Sequence, residues 1–138
     1  MPPRISHILE TSLYVEDLER SQAFYQQVFG FDVFIADGRM VALGAPASGV
    51  VLLFARGKSA RPSETPGGVI PPHDAHGQQH LCFGIAMDAL DAWSDHLARL
   101  DIAVESRVTW PRGGVSLYFR DPDGHSLEVA TPGLWPNF

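Results

Sequence analysis

The chain has 138 residues, 45% of them hydrophobic and 19% charged, with one cysteine and a formal net charge of −6. That balance excludes intrinsic disorder, and the acidic excess with scattered Lys and Arg excludes nucleic-acid and anionic-membrane partners. A lone Cys82 makes no intramolecular disulfide, and no apolar run nears the roughly 18 residues that span a bilayer, so the expectation is one domain in a reducing, cytoplasmic setting.

Residues 5 to 15 set Leu9, Leu13 and Val15 against Glu10, Ser12 and Tyr14, the period of two that marks a strand with two unlike faces. Asp17 then offers a helix cap, apolar residues from Leu18 to Phe29 recur at helical spacing, and Gly30 ends the run. Three short apolar segments follow, Phe31 to Ala36, Met40 to Gly44 and Val50 to Phe54, separated by Asp37-Gly38-Arg39 and a Pro/Gly-containing turn. The first unit, residues 5 to 55, therefore reads as βαβββ.

Residues 56 to 78, rich in Pro and Gly, read as a connecting loop long enough to serve as a linker or a lid. The same order then returns over residues 79 to 131. His80 to Ile85 alternates as a strand, Leu90, Trp93, Leu97 and Leu100 form a helical stripe, and Ile102 to Val108, Ser116 to Phe119 and Ser126 to Ala130 supply three more strands. Leu13-Tyr14-Val15 falls on Phe83-Gly84-Ile85, and Gly49 to Ala55 falls on Gly124 to Ala130, the pattern of an internal duplication.

The duplication sets Glu10 against His80 and Leu53 against Glu128. Three of these four positions carry metal-capable side chains, on a face whose other residues are small or polar. A carboxylate within Ser-Leu-Glu128-Val-Ala is costly to bury unless something neutralises it, and a divalent cation would do so. His73, His76 and His80 are spaced to align along one helix face, but Pro71, Pro72 and Gly77 oppose a helix there, and His73 is read instead as a lid residue. Cys82 shares the cleft-facing parity and reads as a small buried hydrophobe.

Residues 11 to 33, 80 to 85 and the segment SLYFRDPDGHSLEVA at 116 to 130 resemble the vicinal oxygen chelate superfamily, which includes glyoxalase I, bleomycin-resistance proteins and extradiol dioxygenases. The resemblance implies an α+β fold in which two tandem βαβββ modules form a curved mixed sheet around a cleft, residues 1 to 138 making one domain. It implies a metal held by Glu10, His80 and Glu128, with Glu10 or Glu128 also serving as base. One histidine and two carboxylates suit Mn, Mg or Ca better than Zn, Ni or Fe. Tyr118 is assigned a catalytic hydrogen bond. Ser12, Tyr14, His73, Trp110, Arg112 and Ser116 are expected at the substrate.

Leu53 stands where glyoxalase I has a further Glu, which implies three ligands rather than four. The segment from Trp110 to Val115 is shorter than its counterpart in the fosfomycin enzymes and lacks their Lys-bearing stretch, which sets that activity aside. The expected function is a metal-dependent lyase, isomerase or dioxygenase acting on a small substrate with two neighbouring oxygens. The alternative is a metal-free protein that sequesters a small molecule. A homodimer is expected by the same resemblance.

Overall fold

A computed structural model describes all 138 residues, which form two compact units, Met1–His76 and Gly77–Phe138. In the first, β1 (Glu10–Val15) leads to α1 (Leu18–Phe29), then β2 (Asp32–Ala36), β3 (Met40–Ala45) and β4 (Gly49–Ala55). The sheet order is β1-β4-β3-β2, with β1 parallel to β4 and the other pairs antiparallel. Asp17 caps α1 by accepting from the Arg20 amide, and Gly30 closes it in the left-handed conformation at φ 69°. One sheet face buries Leu13, Val41, Leu43 and Leu53, while α1, which packs on β3 and β4, buries Tyr25 and Val28. Each such side chain contributes roughly 1.5–3 kcal/mol on leaving water.

The strand expected over residues 5 to 15 begins only at Glu10. Ile5 and Ile8 are exposed, and the last contact of this arm with the sheet is the Leu9 carbonyl, which accepts from Val50. Alternation in an exposed arm lacks the buried face that would hold it as a strand. The stretch between the repeats is also more ordered than a plain loop, since Ser63–Thr65 (β5) and Gly68–Ile70 (β6) pair as a short hairpin. The Thr65 hydroxyl donates to the Gly68 carbonyl across its turn.

The second unit holds β7 (His80–Gly84), a 3₁₀ turn at Met87–Ala89, α2 (Leu90–Arg99), β8 (Ser106–Thr109), β9 (Val115–Arg120) and β10 (Ser126–Ala130). Its order, β7-β10-β9-β8, with β7 parallel to β10, repeats the topology of the first unit. Leu117, Phe119, Leu127 and Val129 are buried on one face. The strand expected from Ile102 is shorter, starting at Ser106. Asp101 turns out of α2 at φ 56°, the Ile102 amide donates back to the Leu97 carbonyl, and pairing with β9 begins where the Glu105 amide reaches the Tyr118 carbonyl.

Registry corrects one equivalence. Glu10 pairs with Val50 and His80 with Ser126, so Ser12 beside Leu52 matches Cys82 beside Glu128. Leu52, half-buried, is thus the counterpart of Glu128, and Leu53 is fully buried in the core. A slip of one residue changes the face of every side chain in a strand. The fourth position is apolar in either registry.

Candidate functional site

The pleat of the second unit brings two of the expected ligands together. His80 opens β7, and Glu128 lies at the middle of β10, flanked in the ladder by Cys82 on one side and Tyr118 on the other. The His80 Nε2 and Glu128 Oε2 atoms are 3.3 Å apart, the imidazole side chain 52% exposed and the carboxylate 4%. His80 Nδ1 lies 2.9 Å from the Ser126 carbonyl oxygen. A carbonyl only accepts, so Nδ1 carries the proton and, in the neutral ring, Nε2 presents its lone pair to Glu128.

Glu128 Oε1 is buried with no hydrogen-bond partner. A buried carboxylate oxygen without a donor is destabilising by about 1–3 kcal/mol or more. Protonating His80 would serve Oε2 and leave Oε1 as it stands. A cation against both groups would satisfy the carboxylate and the imidazole lone pair together. The backbone carbonyl behind the ring, fixing tautomer and orientation, is the support that metal-bound histidines commonly have. The residues present therefore fit a divalent ion. Cys82 is exposed rather than buried as expected, yet partial desolvation first, and the Glu128 charge second, push its thiol up to about 12. The Tyr118 phenol is likewise raised, by burial and then by Glu128.

No three His, Cys, Asp or Glu side chains gather into one metal-holding group, so His80 and Glu128 stand as a pair. Glu10, exposed at the head of β1, occupies the position in the first unit that His80 holds in the second.

The other expected residues divide between the units. Ser12, Tyr14 and His73 join Glu10 along an open cleft of about 810 Å³ in the first unit. Tyr14 and His73 share a hydrogen bond between the phenol and Nδ1, and the Phe54 ring packs edge-on to His73 with centroids 4.5 Å apart. The His73 amide also donates to the Ser59 carbonyl, tying this part of the connection back to the unit. In the second unit Trp110 donates through Nε1 to the hydroxyl of Ser116, which is fully buried. Arg112 is exposed on the tight turn between β8 and β9. His76 sits 3.4 Å from Asp74 rather than in a histidine cluster.

Sequence reasoning missed Arg39, Phe34, Leu52 and Phe54, all lining the first cleft. For Leu52 and Phe54 the unbroken apolar run of β4 carried no parity signal, and only its pairing with β1 sets their face. Arg39, in a turn, obeys no strand parity.

A family profile described as Glyoxalase/Bleomycin resistance protein/Dioxygenase superfamily matches residues 4–129. The chain belongs to this superfamily. It is 31% identical over 132 residues to metallothiol transferase FosB of Lysinibacillus sphaericus, covering 94% of this chain and 83% of that protein. It is 30% identical over 128 residues to catechol-2,3-dioxygenase of Bacillus subtilis, covering 90% of this chain and 41% of that one. Among solved structures, lactoylglutathione lyase from Agrobacterium tumefaciens superposes with a TM-score of 0.87 at 38% identity, covering 99% of both chains. A transferase, a dioxygenase and a lyase among the relatives fix the superfamily and leave the reaction open. The α+β architecture of two four-stranded modules is that of the superfamily. No helix is long and apolar enough to cross a membrane.

Proposed function

We propose that this chain is a divalent-metal-dependent enzyme acting on a small substrate with two neighbouring oxygens, with His80 and Glu128 as two of the ligands. The observation that carries this reading is the buried, unpartnered Oε1 of Glu128 beside an imidazole whose Nδ1 proton is already committed. Glu10 is assigned as the third ligand from its equivalence to His80 in the duplicated topology. When bound, the ion supplies Lewis acidity to a coordinated substrate oxygen, and three protein ligands leave positions open for it.

The side chains divide the remaining work by burial. Glu128, enclosed and facing His80, holds its place. Glu10, exposed, is of the two carboxylates the one with room to move off a ligand position, which would make it the general base. Tyr118, neighbouring Glu128 across the ladder, keeps its phenolic proton and donates a hydrogen bond to charge developing on substrate oxygen. The donor set of one nitrogen and two carboxylates favours Mn, Mg or Ca, and Zn, Ni or Fe take second place. Each sheet is open at its outer strands, and we infer a homodimer that covers these edges, in a cytoplasmic setting.

Metal uptake tests the reading. After dialysis against each ion and removal of the excess, wild-type protein is expected to retain about one ion per chain. His80→Ala and Glu128→Gln retain none, and Glu10→Ala retains it more weakly by at least about tenfold. Wild-type protein without metal would overturn the assignment. It would favour the second reading, a metal-free binding protein, for which the observation is the roomy apolar cleft of the first unit.

A further inference from the structure

The two charged side chains that line the cleft of the first unit, Glu10 and Arg39, lie toward opposite ends. Glu10 marks one end of β1, and Tyr14, four residues on, pairs with Phe54 at the other. At about 3.3 Å per residue the separation is roughly 13 Å. Between them the floor is Ala42, Val50 and Leu52, with Ser12 supplying a hydroxyl and Thr11 also at the lining. Phe34 reaches this face because Gly44 beneath it has no Cβ, which would meet the ring at 2.2 Å.

Arg39 stands at the Phe54 end. Its guanidinium lies 5.8 Å from the Phe54 ring centroid, donates to the Ser59 hydroxyl at 3.2 Å and touches the Met40 sulfur at 3.7 Å. No carboxylate pairs with it. The nearby Asp37 spends its Oδ1 on the Arg39 and Met40 amides, which are the main reason its carboxyl is held below the ordinary range, and the Arg39 charge adds a smaller part without forming an ion pair. A guanidinium has five N–H donors, so a half-buried Arg39 that donates one each to Ser59 and Met40 keeps three for an anion.

We propose that this cleft takes an elongated amphipathic acid. Its apolar or aromatic body lies over Ala42 and Leu52, its anionic group sits on Arg39, and its oxygen-bearing reactive end lies at Glu10. The Glu10 end rests on the metal reading above, whereas the Arg39 end stands without it. Glu10 also fixes the direction, since the reverse orientation would set two negative charges together.

The test uses metal-free protein in chelator and a matched pair of probes, biphenyl-4-carboxylate and biphenyl-4-carboxamide, titrated by calorimetry. A charge-assisted hydrogen bond is stronger than the one an amide carbonyl accepts, so the acid is expected to bind at least about tenfold tighter than the amide. Arg39→Gln brings the two probes within about twofold while leaving amide binding in place, which also reports that the variant is folded. Arg39→Lys keeps part of the preference. Equal binding of acid and amide to wild-type protein, binding of neither, or a preference that survives Arg39→Gln would each overturn the proposal. The same titration on His80→Ala/Glu128→Gln protein, which by the reading above holds no metal, is expected to give the wild-type preference. A failure of metal uptake with this preference intact removes the enzyme reading and leaves the cleft assignment standing.

Discussion

At the residue scale the account turns on Glu128. Its carboxylate is enclosed, with one oxygen against His80 and the other buried without a well-formed hydrogen bond, the Cys82 thiol and Tyr118 phenol standing beside it. Such a group is a poor contributor to stability and a good ligand. Glu128→Gln is therefore expected to leave the melting temperature in chelator unchanged or to raise it, because a buried charge beside Cys82 and Tyr118 is removed. The same variant loses the stabilisation that added metal gives the wild type, which is about 2.7 kcal/mol at a concentration one hundred times Kd. Thermal unfolding with and without ion reads both effects. A variant destabilised in chelator by several kcal/mol would mark Glu128 as a structural partner of His80 instead. Glu128 was legible in the sequence as a carboxylate within an apolar strand. Its unpartnered oxygen was not, because that depends on which atoms the ladder places around it.

At the element scale, two glycines separate a tight backbone contact from a soft one. A Cβ on Gly114 would meet the Gly133 backbone carbon at 2.7 Å, where the C-terminal segment crosses the start of β9, and Gly133 itself sits at φ 103°. Gly114→Ala is expected to destabilise by roughly 1–3 kcal/mol, because neither backbone can yield without breaking the Thr131 to Val115 bonds beside it. Gly44→Ala meets only the exposed end of the Phe34 ring, which can swing aside, and is expected to lose less than half as much. Denaturant midpoints compare them. The order of strands and helices was readable from periodicity, the Asp17 cap and the Gly30 stop. What failed was the reach of strands at their exposed ends, as at residues 5 to 9, where the alternating pattern has no core to face. The one-residue slip between Leu52 and Leu53 has a related origin. A continuous apolar run such as Val50-Val51-Leu52-Leu53-Phe54 carries no parity of its own, and only pairing with β1 fixes it.

At the scale of the whole molecule, the duplication gives two sheets of the same order, each open along two outer strands. An open edge is a template for further pairing, and a homodimer is the expected solution. Light scattering is expected to return twice the chain mass of 15.1 kDa, and a stable monomer would remove the inference. The acidic excess also has a direction in this picture. Within the first cleft, Glu10 and Arg39 set opposite charges at opposite ends. The most direct test of the central claim is a crystal soaked in Zn²⁺ and measured at the metal's absorption edge. The account predicts an anomalous peak about 2 Å from both His80 Nε2 and a carboxylate oxygen of Glu128. A map with no peak, and with His80 and Glu128 in direct contact, would contradict it.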